Sequence, residues 1–164
     1  MTVRKICCLP GDLVLRQKAK RVPSIDSAVQ RLIDDMMETM QQASGVGLAA
    51  PQVGVPLRVV VIQIPDEAPF ALINPEIVKR TGERVVAEGC LSVPGYVGNI
   101  KRAEMVTAKG LNRKGVPVRV KGSDLLAQAL EHEIDHLNGV LFIDHIKNPE
   151  DLQRVDPEVE SEGM

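Results

Sequence analysis

The chain has 164 residues, 44% of them apolar and 26% charged, with three cysteines and a net charge of −2. That describes one globular domain of the soluble type, long enough to bury about two-thirds of the surface its unfolded chain exposes. Its longest apolar run, Val59-Val60-Val61-Ile62, is far short of the roughly 20 residues of a membrane span, and Ile6 to Leu9 is too short for a secretory signal core. Cys7 and Cys8 are adjacent and Cys90 is far away, so no disulfide framework is expected and a reducing cytoplasm fits.

From the start, an extended segment is interrupted by Pro10-Gly11 and Pro23. Val29, Leu32, Ile33, Met36, Met37 and Met40 then recur at helical spacing and predict an amphipathic helix from Asp26 to Ala43. Gly45-Val46-Gly47 stops it. A small, breaker-rich stretch leads to a strand over Arg58 to Ile64, and Pro65 to Pro69 is a loop. Phe70 to Ile73, Glu76 to Lys79 and Glu83 to Ala87 read as short strands, separated by Asn74-Pro75 and Thr81-Gly82. A tight segment, Glu88 to Gly95, precedes a hairpin of Met105 to Ala108 with Val116 to Val120. A second helix opens at Ser123 or Asp124 and closes at Gly139, after which Val140 to Ile143 is expected to return to a sheet. Aromatics are only 2%, so Val, Leu, Ile and Met must build the core.

Residues 149–164 hold six acids against Arg154, which leaves +3 on the rest of the chain. So weak a positive balance gives no reason to expect DNA binding. Helices and strands do not alternate strictly. The expectation is an α+β fold of mostly antiparallel sheets packed around a central metal-binding helix, with one catalytic domain over residues 1–147 and a solvated acidic tail over 148–164.

The chemistry concentrates in the second helix, at His132-Glu133-Ile134-Asp135-His136. Histidines four apart share a helix face and can hold one ion between them, with the glutamate beside it as a base. Leu125 and Ala129 lie on the same side as the two histidines. Polar groups on such an apolar face are costly unless partnered, and a cation would partner them. A catalytic site of the zinc type needs a third protein ligand and one open position. His145, Asp144 and Cys90 are the candidates; Cys90 is the strongest cysteine, although a buried thiol is equally at home as core.

Three stretches together carry a family resemblance. Gly45-Val46-Gly47-Leu48-Ala49-Ala50-Pro51-Gln52, Glu88-Gly89-Cys90-Leu91-Ser92 and His132-Glu133-Ile134-Asp135-His136 resemble, in order and spacing, the three signature motifs of the peptide deformylases of compact bacterial type. The match departs at Glu131, where that family usually has glutamine. The resemblance implies a metal-dependent hydrolase that removes the N-formyl group from the initiator methionine of nascent polypeptides and releases formate. It implies Cys90, His132 and His136 as metal ligands, with ferrous iron in cells and zinc, nickel or cobalt as substitutes. Glu133 would move the proton of the attacking water to the leaving amine. The Gln52 amide and the Leu91 N–H would stabilise the oxyanion.

For the substrate, the backbone at Val46 and Gly47 offers itself as an exposed strand partner, and Leu91, Leu125 and Ala129 are expected to wall the methionine pocket. Glu88 and Arg102 are expected to pair and brace the Cys90 segment. N-formylmethionyl peptides are the expected partners, with the ribosome as a candidate docking surface. Two rivals remain on residues alone. A zinc peptidase shares the histidine motif but would want a different third ligand. A structural metal site would be closed by four ligands, Cys7 or Cys8 among them.

Overall fold

A computed structural model describes residues 2–155. Helix α1 spans Ser27–Gln42 and helix α2 spans Asp124–Leu137; the strands are β1 (Gly47–Ala49), β2 (Val59–Ile62), β3 (Phe70–Thr81), β4 (Arg84–Cys90), β5 (Val93–Arg102), β6 (Met105–Leu111), β7 (Pro117–Ser123) and β8 (Leu152–Arg154). They form two sheets, one in the order β1-β2-β3-β6-β7 and one in the order β4-β5-β8. Every pairing between these strands is antiparallel. The expected α+β class with antiparallel sheets is the observed one.

Strand β2 shows how the layers arise. All four of its residues are buried. Alternate side chains of a strand point to opposite faces, and here both faces are covered. Val59 and Val61 join the cluster of Leu32, Ile33, Met36 and Met40 from α1. Val60 and Ile62 join Ala127, Ala129, Leu130 and Ile134 from α2. A continuous apolar run is what a strand between two helical layers requires. Helix α1 begins where Asp26 accepts a hydrogen bond from the Val29 backbone N–H at 2.9 Å, satisfying one of the first-turn donors.

Helix α2 is buried at ten of its fourteen positions, His132, Glu133 and His136 included. A helix buried on so many sides lies inside the molecule rather than on it. Its last carbonyls are held from outside. The Leu137 carbonyl accepts from the Ala19 N–H at 2.8 Å and from the Arg58 guanidinium at 2.9 Å. A cation at a helix C-terminus also complements its dipole.

Four local expectations differ from the observed course. The pieces expected at Phe70–Ile73 and Glu76–Lys79 are one strand, because Asn74 takes a left-handed φ of 53° and the register slips between Ile73 and Glu76. A bulge thus absorbs Pro75 without ending the strand. Strand β5 was unexpected, since Pro94, Gly95 and Gly98 break its pattern; it pairs with β4 through a two-residue turn at Leu91-Ser92. Phe142–His145 forms a 3-10 turn instead of returning to a sheet; the Asp144 carboxylate accepts from the Leu141 N–H and favours the turn. Leu152–Arg154, inside the expected tail, pairs with β5 as β8, and residues 156–164 of that tail lie outside the described part of the chain.

Candidate active site

Strand β4 ends at Cys90, and helix α2 passes beneath that end. Cys90 Sγ lies 3.3 Å from His136 Nε2, which lies 3.2 Å from His132 Nε2. Cys90, His132 and His136 are buried, with ligand atoms all within 4.8 Å of one another, and among the described residues they alone form such a group. Nitrogens about 2.0–2.1 Å and a sulfur about 2.3 Å from a tetrahedral ion sit roughly 3.3–3.6 Å from one another. The separations of 3.3 and 3.2 Å lie within about 0.3 Å of those edges, so this donor set fits a metal ion. Of the other candidates, His145 binds Asp135 and Asp144 lies against Arg16 and Leu141, outside this cluster.

Further groups aim the ligands. Glu88 Oε2 stands 2.7 Å from His132 Nδ1, which carries the proton there and turns Nε2 toward the cluster. Glu88 is in turn gripped by Arg102, through Nε at 3.0 Å and through a second nitrogen at 2.6 Å, and by the Gln128 amide at 3.2 Å. Burial opposes the charge on Glu88, but His132 and Arg102 outweigh it and bring its pKa down to about 2. The expected Glu88–Arg102 brace is present, and its contact to His132 extends it. That contact was not foreseen, nor were those of Gln128 and Ser92. The Ser92 N–H donates to Cys90 Sγ at 3.4 Å, and its hydroxyl accepts from Gln52. Ser92 belongs to the Glu88–Ser92 motif and was the one signal available for it.

Glu133 is different. Among the described residues neither of its buried oxygens finds a hydrogen-bond partner, and the same holds for His136 Nδ1. Burial, helped by Glu88 and Asp135 and opposed by His132 and Arg102, raises its pKa to about 7. It packs so close to β1 that a Cβ added at Gly47 would lie 2.5 Å from its Oε2. Val46 and Gly47 are buried rather than exposed as the sequence suggested: the Glu133 side chain fills the space against Gly47, and Val46 sits in the core cluster with Ala129 and Leu130. In the metal-free protein burial weighs against charge on His132, but Glu133, Cys90 and Glu88 outweigh it and raise its pKa well above the usual value. A metal ion must displace that proton.

Gln52 is fully buried, its Oε1 accepting from the Ala49 N–H at 2.9 Å and its Nε2 donating to Ser92 Oγ at 3.1 Å and to Cys90 Sγ at 3.7 Å. Leu91 occupies the turn next to Cys90. Val46 and Ala129 share one core cluster, with Leu125 against it, whereas Leu91 packs on the α1 cluster. Glu131 points away from the metal ligands: it accepts from the Ala103 N–H at 2.7 Å and from Arg80 at 3.1 Å.

The family model of polypeptide deformylases matches residues 3–151. The chain belongs to that family. It is 58% identical to the peptide deformylase of Dehalococcoides mccartyi over 161 residues, 98% of this chain and 96% of that protein. The crystal structure of a peptide deformylase from Legionella pneumophila superposes with a TM-score of 0.87 at 50% identity, covering 92% of this chain and 89% of the other. A class I type b peptide deformylase from Acinetobacter baumannii, solved with Met-Ala-Ser bound, gives a TM-score of 0.84 at 34% identity, covering 88% and 99%. The deformylases are metal-dependent hydrolases, and the Cys90, His132 and His136 cluster is this deformylase's candidate metal site. Among the described residues no helix is long and apolar enough to cross a membrane.

Proposed function

We propose that the chain removes the N-formyl group from the methionine that begins new polypeptides, releasing formate, with Glu133 as general acid–base. The observation that carries this reading is the convergence of Cys90, His132 and His136 beside a buried carboxylate that has no partner of its own. A divalent ion held by Cys90, His132 and His136 would supply Lewis acidity there and lower the pKa of nearby solvent towards neutrality. Glu133, with a pKa near 7, is matched to take a proton from solvent and return it to the leaving amine.

The Gln52 side chain is held by Ala49 and Ser92, which leaves the second N–H of Nε2, directed at Cys90 Sγ through a long contact, to turn to the developing oxyanion. With the Leu91 N–H it supplies two donors, each worth about 3 kcal/mol in comparable sites. β1 is an edge strand, and an extended peptide adds beside Val46 and Gly47. Leu91, Leu125 and Ala129 wall the methionine side chain. The N₂S donor set accepts ferrous iron, the ion assigned here in cells, as well as zinc, nickel or cobalt. The site of action is the cytoplasm, with the ribosome as docking partner. A relative solved with Met-Ala-Ser, a peptide that begins with methionine, supports the substrate class.

The test supplies metal-loaded protein with formyl-Met-Ala-Ser and with unmodified Met-Ala-Ser. Formate appears from the first only, and Glu133→Gln abolishes it while the ion stays bound. Cleavage of the unmodified peptide indicates a peptidase instead. Full activity in the variant removes Glu133 from its role.

A further inference from the structure

Between the metal ligands and the surface runs a chain of side chains in contact. His132 Nδ1 meets Glu88 Oε2 at 2.7 Å, and Glu88 meets Arg102 at 2.6 and 3.0 Å. Arg102 donates to Asp135 Oδ2 at 2.8 Å, and the same oxygen is met at 2.9 Å by His145 Nε2. Side-chain exposure rises outward along this path, from 0% at Glu88 and 2% at Arg102 to 21% at Asp135 and 37% at His145. His145 is thus the one link that solvent reaches freely. Glu88, Arg102 and Asp135 sum to a formal charge of −1, which favours a cation at His132.

We propose that His145 is a positioning residue for the metal centre, acting through Asp135, Arg102 and Glu88 on His132. It has two separable actions. As a neutral donor it holds Asp135 Oδ2, which holds Arg102 against Glu88. When protonated it adds a positive charge that cancels the −1 of the chain and weakens the hold on a bound cation. The ionisable groups around His145 largely offset one another. Arg102 and Lys101 face it from β5, Asp144 from its own turn, Arg16 through Asp144, and Glu83, Lys147 and Asp151 from the adjoining crevice. Histidine is the side-chain type whose charge ordinarily changes between pH 5 and 8, which sets the range of the test.

The inference rests on the metal site proposed above but not on the reaction, because its readout is metal release. Cobalt- or zinc-loaded protein is mixed with excess chelator and the loss of metal is followed between pH 5.5 and 8, in wild type, His145→Gln and His145→Ala. Glutamine keeps an N–H donor but cannot titrate; alanine removes both. Groups bonded directly to a metal ligand change affinity by 10–100-fold. For His145→Ala, several links away, release about tenfold faster at pH 8 is expected. His145→Gln matches wild type at pH 8 and releases metal more slowly than wild type at pH 5.5. The gap there is roughly two- to tenfold, the order expected for one added charge separated from the ion by several side chains along a largely solvent-screened path.

Direct protonation of the ligands speeds release in all three proteins, so the ratio of wild type to His145→Gln isolates the histidine. A ratio that stays constant across the pH range overturns the proposal, and so does wild-type retention in a folded His145→Ala. If the alanine variant does not fold, the glutamine ratio alone decides. Failure of formate release with the expected metal-release pattern leaves this inference standing and removes the reaction instead.

Discussion

Replacing Glu133 with glutamine should stabilise the metal-free protein while destroying its activity. Glu133 is fully buried, both of its oxygens lack partners, and its pKa stands near 7 against an ordinary 4.5. Below pH 4.5 both the folded and unfolded chains hold the proton, and ionisation of the group costs nothing. As pH rises from there, the unfolded chain ionises first, so the folded state binds more protons and loses stability. The loss is complete above pH 7. A shift of two to three pH units corresponds to about 3 kcal/mol at roughly 1.4 kcal/mol per unit. Glutamine cannot ionise and escapes that loss, although its own unpartnered amide carries a desolvation cost of about 1–3 kcal/mol at every pH. The diagnostic quantity is therefore the change with pH. The stability of Glu133→Gln relative to wild type should rise by roughly 2–3 kcal/mol between pH 5 and pH 8. Urea unfolding of chelator-treated protein, followed by far-UV circular dichroism at both pH values, measures it. A difference that does not move between those values would refute the assignment of Glu133 as a carboxylate strained by burial.

Other perturbations test other links. Gly47→Ala places a methyl 2.5 Å from Glu133 Oε2 and must push the carboxylate aside; kcat should fall about 100-fold with an unchanged circular dichroism spectrum and unchanged metal content. Arg102→Leu strands the buried Glu88 carboxylate without its cation, and thermal or urea unfolding should show a loss of about 3–5 kcal/mol. Glu88→Gln keeps the shape but removes the charge facing His132 Nδ1, so competition with a chelator should show metal affinity reduced by about 10–100-fold. Asp26→Ala removes the cap on α1, at a cost of about 1 kcal/mol and with no effect on metal content.

How much of this was readable in the sequence follows from the range over which each interaction acts. Helical spacing is local, so the pairing of His132 with His136, and the buried faces of both helices, could be read directly. The third ligand is not local. Forty-two residues separate Cys90 from His132, and residue chemistry left His145 and Asp144 open beside it until the family motifs were matched. Strand β5 could not be read, because Pro94, Gly95 and Gly98 are locally wrong for a strand and are tolerated only with β4 and β8 on either side. The contacts of Glu88 with His132 and Gln128 span 44 and 40 residues and leave no periodic trace. Gly47 was read as open backbone, when its lack of a side chain is what lets Glu133 approach.

The buried polar groups of this site divide into two kinds, and the division separates support from chemistry. Glu88, Arg102, Gln128, Gln52 and Ser92 satisfy one another with short contacts. Each holds a ligand or a donor in place and is itself held. Glu133 satisfies nothing and is satisfied by nothing among the described residues. A fold selected for stability alone would not keep a fully buried carboxylate in that condition, since filling the same space with an uncharged side chain removes the penalty. Its retention beside three converging donor atoms is explained when the missing partners arrive with the ion, the solvent and the substrate. The same contrast predicts which substitutions stabilise. Changes to the satisfied set should all lower stability, and Glu133 should be the one buried polar position of the site at which removing charge raises it.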